Sequence, residues 1–343
     1  MTGVQTCALP IWNRGFSASY YAAVVDPATW KDIEIFEIED GSISRSESAL
    51  MESADLKTLR YQTNREQWIR IWLDVKQAGD AAHVALFTGL ACSPGRDING
   101  NIISNTLECY SVLKPADDVL LPRGWYAPAG ADGTKQIAKL LACTPAPVVI
   151  EGSGSTLQNT IIAEDGETNL TMAWKILEAI DWRFRISGDG VINLVPQASE
   201  ISASFDAIDH DSIEPELTVS YDWYSVPNVF RAISDDIIAV ARDDSEESPV
   251  STVNRGREIW MEESNCDLNA NESITEYAAR RLREEQRKAL TVSYKRRYDP
   301  NVPTGDMIRL HYPRQGIDGR FLVMSQSIDL GFGATTSEEA QQA

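Results

Sequence analysis

Apolar and polar residues alternate along much of the first third of the chain. In 32–40 (DIEIFEIED) acidic residues alternate with apolar ones, and in 67–75 (QWIRIWLDV) every second residue is Ile, Leu or Val. A period of two residues is typical of strands that bury one face. Two further extended segments flank the pair Asn99-Gly100, which is a strong hairpin signal. Residues 13–115 are therefore predicted to form a domain of short antiparallel strands, which is the pattern of a small β-barrel or a sandwich.

The pattern then changes to helical spacing. Apolar residues fall on one helical face in 137–141 and again in 173–180. The segment WRFRISGDGVINLVP follows, with glycines where a hairpin would reverse. Residues 116–198 are therefore predicted to form a small α/β insert domain.

Strands return in 199–333, together with one long helix predicted over 271–289 (NESITEYAARRLREEQRKA). Asn271 or Ser273 can cap this helix, and Ser273 with Glu276 has the spacing of a capping box. This part of the chain is predicted to be a second β-rich domain that contains one helix.

Prolines and glycines recur in 297–323 where the chain must reverse, which indicates the corners of an antiparallel sheet and not a catalytic loop. The last residues, 334–343, are predicted to be a polar tail. The predicted fold class is thus mainly β with an α/β insert (α+β), in the order β-rich, α/β, and β-rich with one helix.

Composition narrows the choice of function. The 343 residues suffice for two or three domains, and 31 basic residues against 51 acidic ones give a net charge of -20. Binding to nucleic acid requires basic groups that neutralise phosphates, so specific nucleic-acid binding is not expected. The five scattered cysteines are expected to be reduced. No apolar run approaches the roughly 20 residues of a membrane span, so membrane insertion is not expected either.

Few residues have the spacing that chemistry requires. The histidines are spread along the chain without the spacing of a metal site: His83, His210 and His311. His311 lies alone in a predicted strand and is interpreted as a structural or surface residue. A calcium loop is imitated at Asp267, Asn269 and Asn271, but the Gly and Glu that complete such a loop are missing. The sequence predicts no catalytic, cofactor-binding or metal-binding residue, and no cofactor.

Two other features imitate ligand or substrate sites. The GSGS segment at 152–155 lacks the Gly-Lys-Ser/Thr continuation of a phosphate-binding loop, so it is interpreted as a turn. Close carboxylates at Asp209/Asp211 and at Asp235/Asp236 leave a hydrolase open as an alternative.

The first twelve residues are a separate case. They lack the basic start, the apolar centre and the cleavage site of a secretory signal. The stretch GVQTCALPI resembles the translated read-through of a sequencing adapter. Residues 1–12 are therefore expected to be an artefact, and the true N-terminus is expected to differ.

An ordered set of segments resembles one known family. ISRSESALMESADLKT (43–58) is similar to its early strand and loop, and ILEAIDWRFRISGDGVINLVP (176–196) to the helix and hairpin of its α/β insert. Five further segments resemble the second barrel of that family, and they occur in this order: NVFRAISDD, NRGR, NESITEYAARRL, YDPNVPTGDMIRL and GRFLVMSQSIDLG. The family is that of the tail or baseplate hub proteins of tailed bacteriophages, which is related to the late control proteins and to the hub part of type VI secretion spikes.

The resemblance implies a structural virion protein without enzymatic activity. In this family each subunit has two similar small β-barrels, so the resemblance implies a first β-barrel domain at 13–115 and a second at 199–333, with the α/β domain between them. Three subunits close a ring that joins the tail tube to a distal spike or fibre. The implied partners are two further copies of the chain, a tail tube or distal tail protein, and a spike, fibre or tape-measure protein. The expected location is the phage tail after assembly in the host cytoplasm, with DNA passing through the lumen. A tail-associated cell-wall hydrolase and the hub of a bacterial contractile injection or secretion spike remain the alternatives.

Overall fold

A computed structural model of the chain describes residues 17–47, 50–58, 60–77, 80–99, 102–197, 201–206, 213–234, 237–264, 266, 268, 272–331 and 335–343. Strands dominate these residues. One large sheet runs through both ends of the chain, and three small sheets lie in the segments between. The predicted mainly β fold with an α/β insert is confirmed.

Seven strands form the first lobe: β1 (Ser17–Asp26), β2 (Lys31–Glu37), β3 (Asp40–Ser46), β4 (Glu52–Thr58), β5 (Gln67–Gln77), β6 (Asp80–Asn99) and β7 (Ile102–Ser111). Their order in the sheet is β2-β1-β5-β6-β7-β4-β3. The alternating Ile69, Ile71 and Leu73 of β5 are fully buried, as their period predicts. The predicted antiparallel pairing is confirmed, because β6 and β7 pair as far as Asn99 opposite Ile102. Gly100, the second residue of the predicted turn, lies outside the described residues.

An α/β unit follows, made of α1 (Lys114–Asp118), β8 (Tyr126–Ala127), α2 (Gly133–Leu140), β9 (Val148–Ile150), β10 (Ile161–Ile162), α3 (Asn169–Ile180), β11 (Trp182–Ile186) and β12 (Ile192–Pro196). Thr168 caps α3, and Thr171 completes the capping box. The core of this unit, which includes Ile137 and Ile176, is continuous with Trp68 of the first lobe. Apolar packing therefore fixes the insert on the first lobe. The domain boundaries at 115/116 and 198/199 stay a prediction.

The remaining elements are β13 (Ile201–Asp206), β14 (Ile213–Tyr221), β15 (Val229–Ser234), β16 (Ile237–Arg242), α4 (Thr252–Arg255), β17 (Trp260–Ser264), α5 (Ile274–Gln286), β18 (Leu290–Arg297), β19 (Met307–Tyr312), β20 (Ile317–Asp329) and β21 (Thr335–Gln342). The strands β13, β14 and β18 to β21 form the second lobe. Between them, β16-β15-β17 make a separate sheet on which α5 packs. The second β-rich part is thus interrupted by an α/β unit that the sequence did not predict.

The predicted long helix is shorter than 271–289. It runs from Ile274 to Gln286, and a short 3-10 turn continues it to Ala289. Ser273 is its N-cap, and Glu276 returns the hydrogen bond of the capping box, as predicted. Asn271, the other candidate cap, lies outside the described residues.

The predicted polar tail at 334–343 is wrong, because Thr335–Gln342 form β21 in the interior of the large sheet. Its sequence, TTSEEAQQ, looks polar because the residues that face the core are also mostly polar. Thr336, Glu338 and Ala340 are buried, and Glu338 is neutralised there by Arg296. A buried ion pair hides the alternation that would otherwise mark a strand.

The two predicted barrels are not closed, separate units. The described strands of both lobes form one open sheet, because β20 pairs with β3 as well as with β21. The strand is long enough for both tasks: 317–322 pair with β19 of the second lobe, and 325–329 pair with β3 of the first. A single strand therefore joins the two lobes.

Candidate functional site

The candidate catalytic residues are not brought together in the described part of the chain. His83 of β6 is half-exposed and contacts Asp74 of the neighbouring strand, with Nδ1 2.6 Å from Oδ1. His311 Nδ1 of β19 lies 3.1 Å from Asp318 Oδ1 across the β19/β20 hairpin, and this contact lowers the pKa of that carboxyl. Both are cross-strand surface pairs in different lobes. The other candidates lie outside the described residues: His210, Asp209, Asp211, Asp235, Asp236, Asp267, Asn269 and Asn271.

The GSGS segment forms bends and is not followed directly by a helix. Its Gly154 instead lies against Asp132, the N-cap of α2, and a Cβ at Gly154 would come within 2.7 Å of that carboxylate. Asp132 accepts the backbone N–H of Lys135 and the hydroxyl of Thr134. A protein carboxylate thus occupies the position where a phosphate would bind a helix N-terminus.

The loop at 299–306 lies between the α/β insert and the second lobe. Arg183 of β11 reaches Asp306 with its Nη2 2.7 Å from Oδ1, and both side chains are buried. Gly305 has a φ of +77°, which lets the backbone approach Arg183 closely. This loop therefore binds the insert to the second lobe.

Within the described residues, no three side chains of His, Cys, Asp or Glu are grouped so that they could hold a metal ion. No helix in that part of the chain combines the length and the apolar character of a membrane span.

The most extensive functional candidate is one face of the large sheet. It spans eight neighbouring strands in the order β14-β18-β21-β20-β3-β4-β7-β6. The register places Lys295, Ser337, Ser327, Ser44 and Ser53 in one row across five of these strands. A second row reads Thr218, Ser293, Glu339, Ser325 and Ser46. We call this surface the polar face.

The opposite side of the same strands carries the cores of both lobes. Val292, Tyr294 and Val323 belong to the second core, and Ile43 and Leu56 to the first. The strands are therefore amphipathic in an unusual sense, because the exposed side is occupied largely by small hydroxyl-bearing residues. A shallow depression of about 530 Å³ lies on this side at the junction of the two lobes. Six serines line it: Ser44, Ser46, Ser293, Ser325, Ser327 and Ser337.

The polar face is acidic. Its described charged side chains are six carboxylates, Asp40, Asp55, Glu108, Glu216, Asp329 and Glu339, and three basic groups, Lys57, Lys295 and Arg297. A surface with this balance repels polyanions. It lacks large apolar side chains over most of its area, so it offers little to which another molecule would adhere.

Sequence reasoning did not identify this face as a site. The signal was present in SISRS and in MSQSID, where serine occupies every second position. A strand that places serine on one side and apolar or paired residues on the other has a solvated face without charge repulsion between neighbouring strands. The fact that these segments are adjacent in space depends on pairing between β3 and β20, which no local pattern encodes.

No protein-family model matches the chain, and no curated protein matches it in sequence. Solved structures do match in fold. A tail protein from Neisseria meningitidis MC58 superposes with a TM-score of 0.67 at 14% identity, over 95% of this chain and 96% of that one. The chain has a tail-protein fold.

Two further structures extend this likeness. The 43 kDa tail protein of prophage MuSo2 from Shewanella oneidensis has a TM-score of 0.66 at 13% identity, covering 94% of this chain and 97% of its own. An E. coli component of the type VI secretion system, described as similar to the T4 tail proteins gp27 and gp5, has a TM-score of 0.50 at 8% identity, with 96% and 74% covered. The fold expected from the resemblance to tail hub proteins is confirmed.

Proposed function

We propose that this chain is a structural protein of a bacteriophage tail, a hub that forms a ring between the tail tube and a distal spike or fibre. The observation that carries the proposal is the match to two tail proteins over nearly the whole length of both partners. A match of that extent covers both lobes, the insert and the α5 unit together.

The polar face supports a position around a channel. A ring of copies has an inner and an outer surface, and the two sides of the large sheet differ in the corresponding way. One side carries the cores of the two lobes, and the other is solvated, acidic and rich in small hydroxyl groups. A channel wall of this kind would let DNA pass, because carboxylates repel phosphates and serines bind them weakly.

The proposal includes three copies per ring and location in the virion tail after assembly in the host cytoplasm. Its partners are a tube or distal tail protein on one side and a spike, fibre or tape-measure protein on the other. It assigns the chain no enzymatic activity. The test is to purify particles of the phage that encodes the chain, and to measure by native mass spectrometry how many copies of the full chain associate. Three copies and labelling at the distal tail are expected, whereas absence from particles would refute the proposal.

The inward orientation of the polar face has its own test. Glu339→Lys with Asp55→Lys would place two basic groups per copy on this face, and Glu247→Lys, in an exposed loop of the α5 unit, is the matched control. DNA ejection is expected to slow in the first variant and to stay normal in the control, while particle assembly is unchanged. Equal ejection rates in both would show that the face does not line the channel.

A second candidate function is the hub of a bacterial secretion or contractile injection spike. It is favoured by the likeness to the type VI secretion component. Neighbouring genes separate the two, because capsid and tape-measure genes accompany a phage hub and secretion ATPase genes accompany the other.

A further inference from the structure

The strand β2 ends the large sheet in the first lobe and has a hydrogen-bonded neighbour on one side only. Among the described residues, β2 pairs with β1 and with no other strand. In an antiparallel ladder every second residue directs its backbone N–H and C=O groups away from its neighbour. The edge of β2 therefore presents a row of backbone groups to which another strand can be added.

A groove of about 600 Å³ runs along this edge. It is lined by 34–39, from the second half of β2 onwards, and by 60–62, which follow β4. The two walls are tied together at one end, because the backbone N–H of Glu39 donates to the carbonyl oxygen of Lys57 at 2.8 Å. We call this feature the β2 groove.

Two stacked aromatic rings join the walls of the β2 groove. The ring centroids of Phe36 and Tyr61 lie 3.8 Å apart, their planes differ by 7°, and both side chains are buried. The hydroxyl of Thr58 donates to the carbonyl oxygen of Tyr61 at 2.8 Å, which holds the second wall in position. The groove is thus preformed, so binding a partner there requires little ordering of the chain itself.

The exposed side chains of β2 include two large apolar residues. Ile33 is 68% exposed and Ile35 is 69% exposed. Sheet edges of natural proteins usually carry charges or prolines instead, because an apolar edge attracts other strands. A strand added to β2 would place a side chain directly beside Ile35, and covering this residue would stabilise the complex.

The charges of the β2 groove are mostly negative. Its charged side chains are three carboxylates and one guanidinium: Glu34, Glu37, Glu39 and Arg60. Burial and the charge of Glu34 raise the pKa of Tyr61 to about 12, so the negative potential extends to the stacked rings. Two copies of β2 paired edge to edge would bring carboxylates together, whereas a strand with basic side chains would bring opposite charges together.

Both faces of β2 combine an apolar residue with a carboxylate. Glu34 and Phe36 lie opposite core residues of β1, and Ile35 and Glu37 alternate with them on the outer face. A strand beside β2 also alternates its side chains between these two faces. A complementary partner therefore needs basic and apolar side chains on each of its faces.

We propose that the β2 groove binds an extended segment of another protein, which bears basic and apolar side chains and is added to the sheet beside β2. Backbone hydrogen bonds would provide affinity, and the carboxylates would select the partner. The inference goes beyond the proposed function and does not depend on it, because the edge and the groove belong to a single copy of the chain.

The first test uses the full chain and two synthetic peptides with blocked ends. Lys-Lys-Val-Val-Lys-Lys-Val places both residue types on both faces of a strand, and Glu-Glu-Val-Val-Glu-Glu-Val is its acidic counterpart. In fluorescence anisotropy at about 150 mM salt, where long-range attraction is screened, the lysine peptide is expected to bind at least about tenfold more tightly. It should also slow hydrogen exchange in 34–39. Equal affinities, or slowed exchange only outside the groove, would overturn the inference.

Backbone methylation separates strand addition from attraction between charges. A strand pairs with one neighbour through the N–H groups of alternate residues. Two forms of the lysine peptide, N-methylated on one or the other alternate set, keep the same side chains and charge. One form is expected to lose binding, and the other to bind at least about fivefold more tightly than the first. Equal affinities of the two forms would overturn the inference.

Charge variants of the chain locate the site. Glu34→Gln with Glu37→Gln is expected to weaken binding of the lysine peptide about three- to tenfold, since two exposed ion pairs are lost. The matched control is Glu246→Gln with Glu247→Gln, which removes two carboxylates from an exposed loop of the α5 unit and should leave the affinity unchanged. Equal weakening in both variants would indicate general attraction to an acidic chain and would overturn the inference.

The occupant of the edge has its own control. Protection of β2 that rises with the concentration of the chain alone would show a second copy on this edge, and would overturn the inference. Failure of the peptide tests would leave the number of copies per particle unchanged, so it can be distinguished from failure of the proposed hub.

Discussion

Arg296 and Glu338 form an ion pair inside the second lobe, and each is only 2% exposed. Arg296 Nη2 lies 2.5 Å from Glu338 Oε1, and its Nε donates to Oε2 at 2.8 Å. Gln326, on the strand that joins the lobes, donates to Oε1 at 2.6 Å. Burial lowers the pKa of Arg296, but the neighbouring carboxylate outweighs this effect and the pKa is raised overall. The guanidinium therefore stays charged in the folded chain.

Glu338→Leu would leave this charge without its partner. The guanidinium would keep only its bonds to the carbonyl oxygens of Arg297 and Val302, at 2.9 and 3.1 Å. Removing one member of a buried pair costs about 3–5 kcal/mol, largely because the other charge remains desolvated. Replacing both, as Arg296→Met with Glu338→Leu, removes that penalty, so the double variant is expected to lie within about 1–2 kcal/mol of the native chain.

Urea unfolding of the full chain, followed by circular dichroism at neutral pH, measures these differences. The single variant should unfold at a clearly lower urea concentration than the double variant, although it carries fewer changes. Arg309→Met, which breaks an exposed pair with Asp318, is the control and should cost about 1 kcal/mol or less. A single variant as stable as the native chain, or a double variant no better than the single, would refute this account of the pair.

Three further predictions concern other parts of the fold. Burial, partly offset by the neighbouring Arg45 guanidinium, raises the pKa of Glu52 from 4.5 to about 7. Because the folded pKa lies above the unfolded one, the stability that Glu52 contributes is complete below about pH 4.5 and is lost as the pH rises towards 7. The loss is at most about 3 kcal/mol. Unfolding measured at about pH 5 and about pH 7.5 should show this loss, and Glu52→Gln should abolish it; an unchanged slope would contradict the assignment. A Cβ at Gly188 would lie 1.8 Å from the Ala85 carbonyl oxygen. Gly188→Ala should therefore detach the hairpin of the insert from the first lobe and increase hydrogen exchange in that hairpin. Gly319→Ala is the control and should leave hydrogen exchange unchanged, because the atom nearest to a Cβ there is 3.9 Å away. Ser273→Ala removes the N-cap of α5 and should lower the free energy of unfolding of its unit by about 1 kcal/mol, with no effect counting against the capping box.

The elements that the sequence predicted well are those whose determinants are local. The alternation in β5, the Asn-Gly hairpin and the capping box of α5 each depend on residues within one turn or one strand. The polar face and the junction of the lobes depend instead on the pairing of β3 with β20, whose residues are far apart along the chain. Side-chain alternation indicates that β3 and β20 are strands, but it does not indicate which strands are neighbours.

The errors have a similar origin. The sequence predicts a polar tail where β21 lies, because it does not show that the charged Glu338 is neutralised by a residue of another strand. The sequence does not separate the α5 unit from the second lobe, because the strands of both have the same alternation. Only their pairing into a distinct sheet distinguishes the strands of the α5 unit. The serines of the polar face match no catalytic or binding motif. They become significant only because many of them lie on one surface, which the fold alone shows.

The strand β20 has 13 residues and spans the border between the lobes, and its ladder with β21 runs on both sides of that border, with one register shift between Val323 and Ser325. A border crossed by a flexible linker would act as a hinge, whereas one crossed by a ladder of hydrogen bonds resists bending and shear. In the proposed ring, a force applied to one lobe during attachment would therefore displace both lobes together, because the large sheet moves as one unit. The chain would transmit mechanical load along its sheet and would leave any bending to the contacts between copies.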